Sequence, residues 1–443
     1  MNFERKLIRA RRRRFSFTFI ALVVASVLLV ANVGAFAQQK ITISVAIPWG
    51  DTTAFNGVFA ALKEAYEEMR PDVEIEYLTG WGGDKTLAAL AGGVLPDIVF
   101  GWGNTDEMRE VYLPLDEMMA RNGVRLDDYL VGAVGQMHIM GKTWVLQVFV
   151  DPNFPLIYNK TLFTQAGLDP EAPPKTVAEF DAMFPKLTRR EADGRITQIA
   201  MHTWLWRDSY QGFNALTFGS AFGGTLWEGT ETEGRLGLAT PRMAAAYEWL
   251  KGYEDLYRAD AASLSLSGWM GAMPQGHQAM TYSITPDLKR LKTLLPMHEF
   301  SVAPPFHEET QGFEYPVWFG GWPAGVSVHS RHPEEAFDFL VFMSYSPEGQ
   351  EILARVGELF PSTKESPGFV ALIEENPDWL NFINALKAST LSPATYWLNI
   401  PWGEAFAHVN HRVFNEGIAP IIALQEAEEM LIIEARELGL TIL

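Results

Sequence analysis

The chain has 443 residues, 48% of them hydrophobic and 20% charged, with a formal net charge of −19 and no cysteine. That length predicts two or three compact units with ample core, and so apolar and aromatic a composition excludes disorder. The absence of cysteine excludes disulfides, thiolate metal sites, cysteine nucleophiles and a lipid-modified N-terminal cysteine, and the negative charge argues against a nucleic-acid partner, which needs a broad basic face.

The charge is unevenly placed. Residues 1–37 carry Arg5, Lys6, Arg9 and Arg11 to Arg14 against Glu4 alone, which leaves the rest of the chain at −25. An apolar run from Phe15 to Val33 follows, then Ala35-Phe36-Ala37 before Gln38. Basic region, apolar region and small-residue cleavage site together predict a secretory signal peptide over residues 1–37. The competing reading is a retained anchor, because the run approaches the ~20 residues that span a bilayer. Arg12-Arg13-Arg14-Phe15 leaves both the general and the twin-arginine export routes open.

Past the leader, Lys40 to Ile47 is apolar at every second position and predicts a strand. After Pro48-Trp49-Gly50-Asp51, residues Phe55, Val58, Phe59, Leu62, Ala65, Tyr66 and Met69 recur at helical spacing until Pro71 closes the helix. Val73, Ile75 and Tyr77 alternate as a second strand, Leu87 to Leu90 suggests a short helix, and Pro96 to Phe100 reads as a buried third strand ending in glycines. This alternation predicts a parallel α/β sheet. Ligands of such open sheets bind beyond the carboxyl ends of the strands. The loops there, Trp49–Thr53 and Gly101–Asp106, each carry a tryptophan and a carboxylate. Further on, Thr176-Val177-Ala178-Glu179 fits a capping box and Ser346-Pro347-Glu348 an N-cap followed by proline. With no low-complexity linker, the units are expected to interleave.

Several segments, in order, carry a family resemblance. They are Leu113-Pro114-Leu115-Asp116-Glu117; Leu156-Ile157-Tyr158-Asn159-Lys160 with Phe163 and Ala166-Gly167-Leu168; and Pro173-Pro174-Lys175-Thr176 with Glu179-Phe180. Gln275 to Met280, Val302-Ala303-Pro304-Pro305, Gly320-Gly321-Trp322, Pro333 to Ala336 and Ser346 to Gln350 complete the series. Together they resemble the extracellular solute-binding proteins of ABC importers, of the large sugar-binding, maltose-binding-protein-like type. His277 stands where the family commonly has lysine, and no lipobox cysteine is present.

The resemblance implies an α/β, two-lobed periplasmic-binding-protein fold with discontinuous lobes and hinge crossings, a Venus flytrap that closes on its solute. The first lobe is expected to comprise residues 38–150 plus 322–390 and the second 151–321 plus 391–443, with crossings near Val150–Asn153, Phe319–Trp322 and Ala388–Asn399. It further implies a free periplasmic or secreted monomer that captures a sugar or oligosaccharide and delivers it to ABC permease subunits in the membrane, with no cofactor, metal or catalytic activity.

A pyranose offers an apolar C–H face and a rim of hydroxyls, so its site needs flat rings with a few fixed polar groups. All 14 tryptophans lie beyond the leader, and several sit beside such groups in predicted loops. These are Trp49 with Asp51, Trp81, Trp102 with Asn104 and Asp106, and Trp204 with Trp206 and Arg207. Carried over from the family are Asp151 at the first crossing, Tyr282 past the Gly276–Met280 segment, and Gly321 with Trp322 at the second crossing. Trp402, near the third, completes the candidate ligand-binding set. Trp144, Trp249 and Trp379 fall in strand or helix patterns and are expected in the core. A polyamine, phosphodiester or peptide ligand on the same fold is the nearer alternative, and a secreted glycoside hydrolase the remoter one. The latter needs two carboxylates ~5–9.5 Å apart. Gly325-Val326-Ser327-Val328-His329 fails the nucleophile-elbow pattern at its last position, and His408 with His411 reads as a surface pair.

Overall fold

The computed structural model describes residues 40–51, 54–101, 109–152, 155–203, 214–230, 232–309, 319–388, 402–437 and 439–443. The leader and residues 389–401, which include all but Ala388 of the expected third crossing, lie outside them.

The predicted opening units form as read. Strand β1 (Ile41–Ala46) buries Ile43 and Val45. Helix α1 (Ala54–Met69) turns Val58, Phe59, Leu62 and Tyr66 inward and stops just before Pro71. Strand β2 (Val73–Leu78) buries Val73 and Ile75 and exposes Glu74 and Glu76. Helix α2 (Gly83–Gly92) and the wholly buried β3 (Ile98–Phe100) follow. β1 pairs in parallel with β2 on one side and β3 on the other, so the connection from β1 to β2 and the one from β2 back past β1 to β3 run in opposite directions along the sheet. That divergence opens a crevice at the carboxyl ends of β1 and β3.

Strand β4 (Leu146–Pro152) runs into β5 (Leu156–Asn159), which belongs to a different sheet. β5 lies between β6 (Met280–Tyr282) and β7 (Phe300–Ala303), antiparallel to both. Strand β8 (Phe319–Val326) returns to the first sheet, and β9 (Phe360–Pro361) closes its edge. The six-stranded order is β9-β4-β8-β3-β1-β2, with β8 antiparallel to both neighbours.

The segments behind the family resemblance hold this frame together. Asn159 accepts from the Leu162 N–H at 3.2 Å and its amide reaches His298 Nδ1 at 2.8 Å. Lys160 pairs with Glu171 at 2.7 Å. The capping box opens helix α3 (Val177–Leu187): Thr176 Oγ1 accepts from Glu179 N at 3.1 Å while Glu179 accepts from Thr176 N at 3.3 Å. Helix α4 (Pro241–Tyr257) packs over the same second core, and α5 (Pro286–Leu294) lies against β7. Helix α6 (Pro333–Ser344) covers the first sheet. Ser346 caps helix α7 (Pro347–Arg355) by accepting from Gly349 N at 3.0 Å.

Helices α8 (Pro367–Glu375) and α9 (Trp379–Ala388) follow β9. Trp379 and Phe382 both pack on Phe360 with ring centroids 5.3 Å apart, and α9 also lies against β7 of the second sheet. The chain therefore touches both sheets before the expected third crossing. Helices α10 (Trp402–Asn410) and α11 (Pro420–Glu437) build a third core with α4.

Candidate functional site

A cavity of about 260 Å³ occupies the crevice beyond β1 and β3, with Pro48, Trp81, Thr86, Phe100, Tyr112 and Trp322 in its wall. Its remaining described lining is glycine, leucine and valine, so this wall presents no charged side chain. The position is the one that the strand order dictates.

Each ring is held by local structure. Trp81 continues from β2, donating its backbone N–H to Ile47 at 3.0 Å, and its Nε1 donates to Thr86 Oγ1 at 2.9 Å. Tyr112 bridges to Ser327 beside β8. A Cβ on Gly325 would lie 2.8 Å from the Trp144 carbonyl and 2.9 Å from Tyr112 Cγ, so glycine there makes room for the tyrosine ring. Trp322 projects from β8 where its register against β4 shifts, and it meets Trp49 at 4.7 Å between centroids. Trp49 in turn stacks on Phe59 at 5.0 Å and meets Phe55 edge-on at 4.9 Å. Trp49 is thus a backing layer behind Trp322 and not part of the described cavity lining.

The candidate residues divide accordingly. Trp81 and Trp322 share one wall, Trp49 supports it, and Asp51 is exposed at the end of the β1 loop. Asp151 is placed by its backbone in β4, opposite Gly320. Gly321 is buried one residue before Trp322. Trp102, Asn104, Asp106, Trp204, Trp206 and Arg207 lie outside the described residues.

Two expectations are corrected. Tyr282 is 1% exposed; its ring packs on Phe306 at 5.7 Å and Phe218 at 5.8 Å, and burial pushes its phenol well above the ordinary value. It is a core residue, because β6 is buried throughout and leaves no face open to a ligand. Trp402 is 4% exposed, stacks on Phe406 at 6.0 Å and belongs to the third core. Its proline-flanked position is the start of a buried helix, not a cleft loop.

Tyr112, Phe100 and Pro48 line the cavity without having been singled out. Pro48 lies beside a candidate and was within reach of the strand-end argument. Nothing local to Tyr112 distinguishes it, since its place depends on Gly325, more than two hundred residues away. His408 meets Glu426 at 2.9 Å, and Arg412 pairs with the same carboxylate at 2.7 Å. The Arg412 guanidinium, with His408, lowers the Glu426 carboxyl to about 2. No group of three or more His, Cys, Asp or Glu among the described residues is arranged to hold a metal ion.

Residues 49–351 match the model of the bacterial extracellular solute-binding protein family. Among solved structures, the fold is similar to CpMnBP1 with mannotriose bound (TM-score 0.71, 23% identity, 88% of this chain and 100% of that one). It is also similar to the sugar-binding protein MalE from the phytopathogen Xanthomonas citri (TM-score 0.71, 18% identity, 89% and 98%). A third is the maltose/maltodextrin-binding domain MalE from Bdellovibrio bacteriovorus bound to maltotriose (TM-score 0.67, 17% identity, 90% and 100%). A comparison with curated proteins finds no match. The expected α/β two-lobed architecture is the one these folds share.

Proposed function

Since the chain belongs to the bacterial extracellular solute-binding proteins, we propose that its solute is a neutral sugar or short oligosaccharide, held between the lobes and delivered to an ABC permease. The observation that carries this reading is the cavity wall itself: two tryptophans, a tyrosine and a phenylalanine at the strand ends, with no charged side chain among the described lining residues. Such a wall complements the C–H face of a pyranose better than it does a phosphate or an ammonium group. The sugars named for the similar folds, mannotriose and maltotriose, support the same class.

In this reading, hydroxyls are met by polar groups of the loops around Asn104, Asp106 and Arg207, with Asp51 and Asp151 at the rim. The lobes divide as 38–150 plus 322–390 and 151–321 plus 391–443, and β4 and β8 carry the first two crossings. Closure follows from the sugar's greater affinity for the closed arrangement and can shift the equilibrium only by that difference. The leader over residues 1–37 exports the protein, which works as a free monomer. No helix among the described residues is long and apolar enough to cross a membrane.

Isothermal titration against mannotriose, maltotriose, single hexoses, putrescine and a phosphodiester tests this. Saturable binding of a neutral sugar without its turnover is expected. Binding confined to the amine or the phosphodiester, or release of products from a glycoside, overturns it.

A further inference from the structure

β8 departs from regular strand geometry just where it presents Trp322. Gly321 has φ of 154°, a value that side-chain-bearing residues rarely adopt, and the register against β4 shifts between Trp322 and Pro323. Pro323 has no N–H to give to the ladder. On the facing strand the shift skips Val148, because Trp322 lies opposite Phe149 and Pro323 opposite Gln147.

Two side-chain amides serve the carbonyls of β4 across this bulge. Gln350, from α7, donates to the Val148 carbonyl at 3.1 Å and the Met343 carbonyl at 3.0 Å, and accepts from Ser362 N at 2.9 Å. Gln147 donates to the Phe149 carbonyl at 2.8 Å. Its amide fills the space that Gly321 leaves: a Cβ on Gly321 would collide with Gln147 Nε2 and approach the Phe149 carbonyl to 2.6 Å. Both glutamines are fully buried, yet they differ in one respect. Gln350 is satisfied at both ends, whereas Gln147 Oε1 has no partner among the described residues. Folded chains seldom retain a buried acceptor in that condition, and where they do it often sits at a site kept for a purpose other than stability.

We propose that Gln147 is a positioning residue of the binding site: its amide, seated against Gly321, sets the turn of β8 that aims Trp322 into the cavity. Its role in ligand affinity rests on the sugar reading above; its role in orienting the ring does not. Gln147 contacts the strand and not the ligand wall, so it acts through Trp322.

The test compares Gln147→Met with Gln350→Met, both close in volume to the parent residue. Gln147→Met removes one hydrogen bond and one unpaired acceptor, so the apo melting temperature should stay within about 2 °C of the parent or rise. The Trp322 contribution to near-UV circular dichroism, read as the difference between each background and its Trp322→Phe counterpart, should be largely lost. Affinity for whichever of mannotriose or maltotriose the parent binds should fall about tenfold or more. Gln350→Met, which breaks a fully satisfied amide, should lower the melting temperature clearly. A Gln147→Met protein that melts as early as Gln350→Met and keeps the Trp322 signal overturns the proposal. So does one that keeps both the signal and the parent affinity. If the parent binds neither sugar, the sugar reading fails, and the dichroism arm still decides the positioning role.

Discussion

Replacing Trp322 with alanine separates the proposed ligand contact from core packing, because this ring borders both the cavity and the core. It lines the cavity and it packs on Trp49 with centroids 4.7 Å apart. A pyranose stacked on the indole would withdraw about 80 Å² of apolar surface from water, which at about 25 cal/mol per Å² contributes about 2 kcal/mol. Losing it should raise Kd about thirtyfold. The effect on stability should be smaller than for a core tryptophan. Truncating a fully buried tryptophan costs about 3–5 kcal/mol, whereas Trp322 is only partly buried, so about 1–2 kcal/mol and a fall of about 2–4 °C are expected. Trp322→Phe, which can retain a ring against Trp49, should recover part of both losses. Calorimetric titration with the sugar bound by the parent, alongside a thermal melt of the apo protein, measures the two numbers on one preparation. An unchanged Kd together with a fall in melting temperature beyond about 8 °C would make Trp322 a core residue and move the ligand elsewhere.

The remaining predictions concern residues that stabilise the lobes. Tyr282→Leu should lower unfolding free energy by about 2–4 kcal/mol in a denaturant titration while the folded fraction binds sugar with parental affinity; a weakened affinity at unchanged stability would restore Tyr282 to the ligand surface. Asp97 should set part of the acid limb of stability. Burial pushes its carboxyl up, but Ser44 donates N–H and O–H to Oδ2 at 2.9 and 2.6 Å and Ser330 donates to Oδ1 at 2.7 Å, and the net result lies below the ordinary carboxylate value. With the folded value the lower one, the unfolded chain takes up the proton first as pH falls. The contribution is therefore complete above the ordinary carboxylate range, about pH 4, and is lost as pH drops through the folded value. Asp97→Asn should flatten the stability curve in that acid range, and an identical acid slope in the variant would refute this.

What was legible in the chain followed from short-range rules. Alternation in β1 and β2, the 3.6-residue pattern of α1 and the caps at Thr176 and Ser346 are each decided within a few residues, and each is present as read. The strand ends that border the crevice were legible from the strand–helix alternation, whereas the placing of β1 between β2 and β3, which opens it, came from the structure. The assignment of individual rings was not legible. Trp322 and Tyr282 both stood beside family-like segments, and the difference between them lies in what faces each ring. β6 is an edge strand of a small sheet, yet Tyr282 is sealed by Phe218 and Phe306 from distant parts of the chain. Trp322 stands on a central strand, where burial is the default, and it reaches the cavity at a bulge marked by Gly321 and Pro323. Tyr112 reaches the same wall over Gly325, on the same strand. In both cases a glycine of β8 supplies the space and an aromatic ring or an amide takes it. Glycine and proline positions on the returning strand are therefore better guides to this wall than tryptophan count, because an exposed ring and a buried ring have the same residue type, whereas the vacancy that aims a ring must be encoded where the backbone makes room for it.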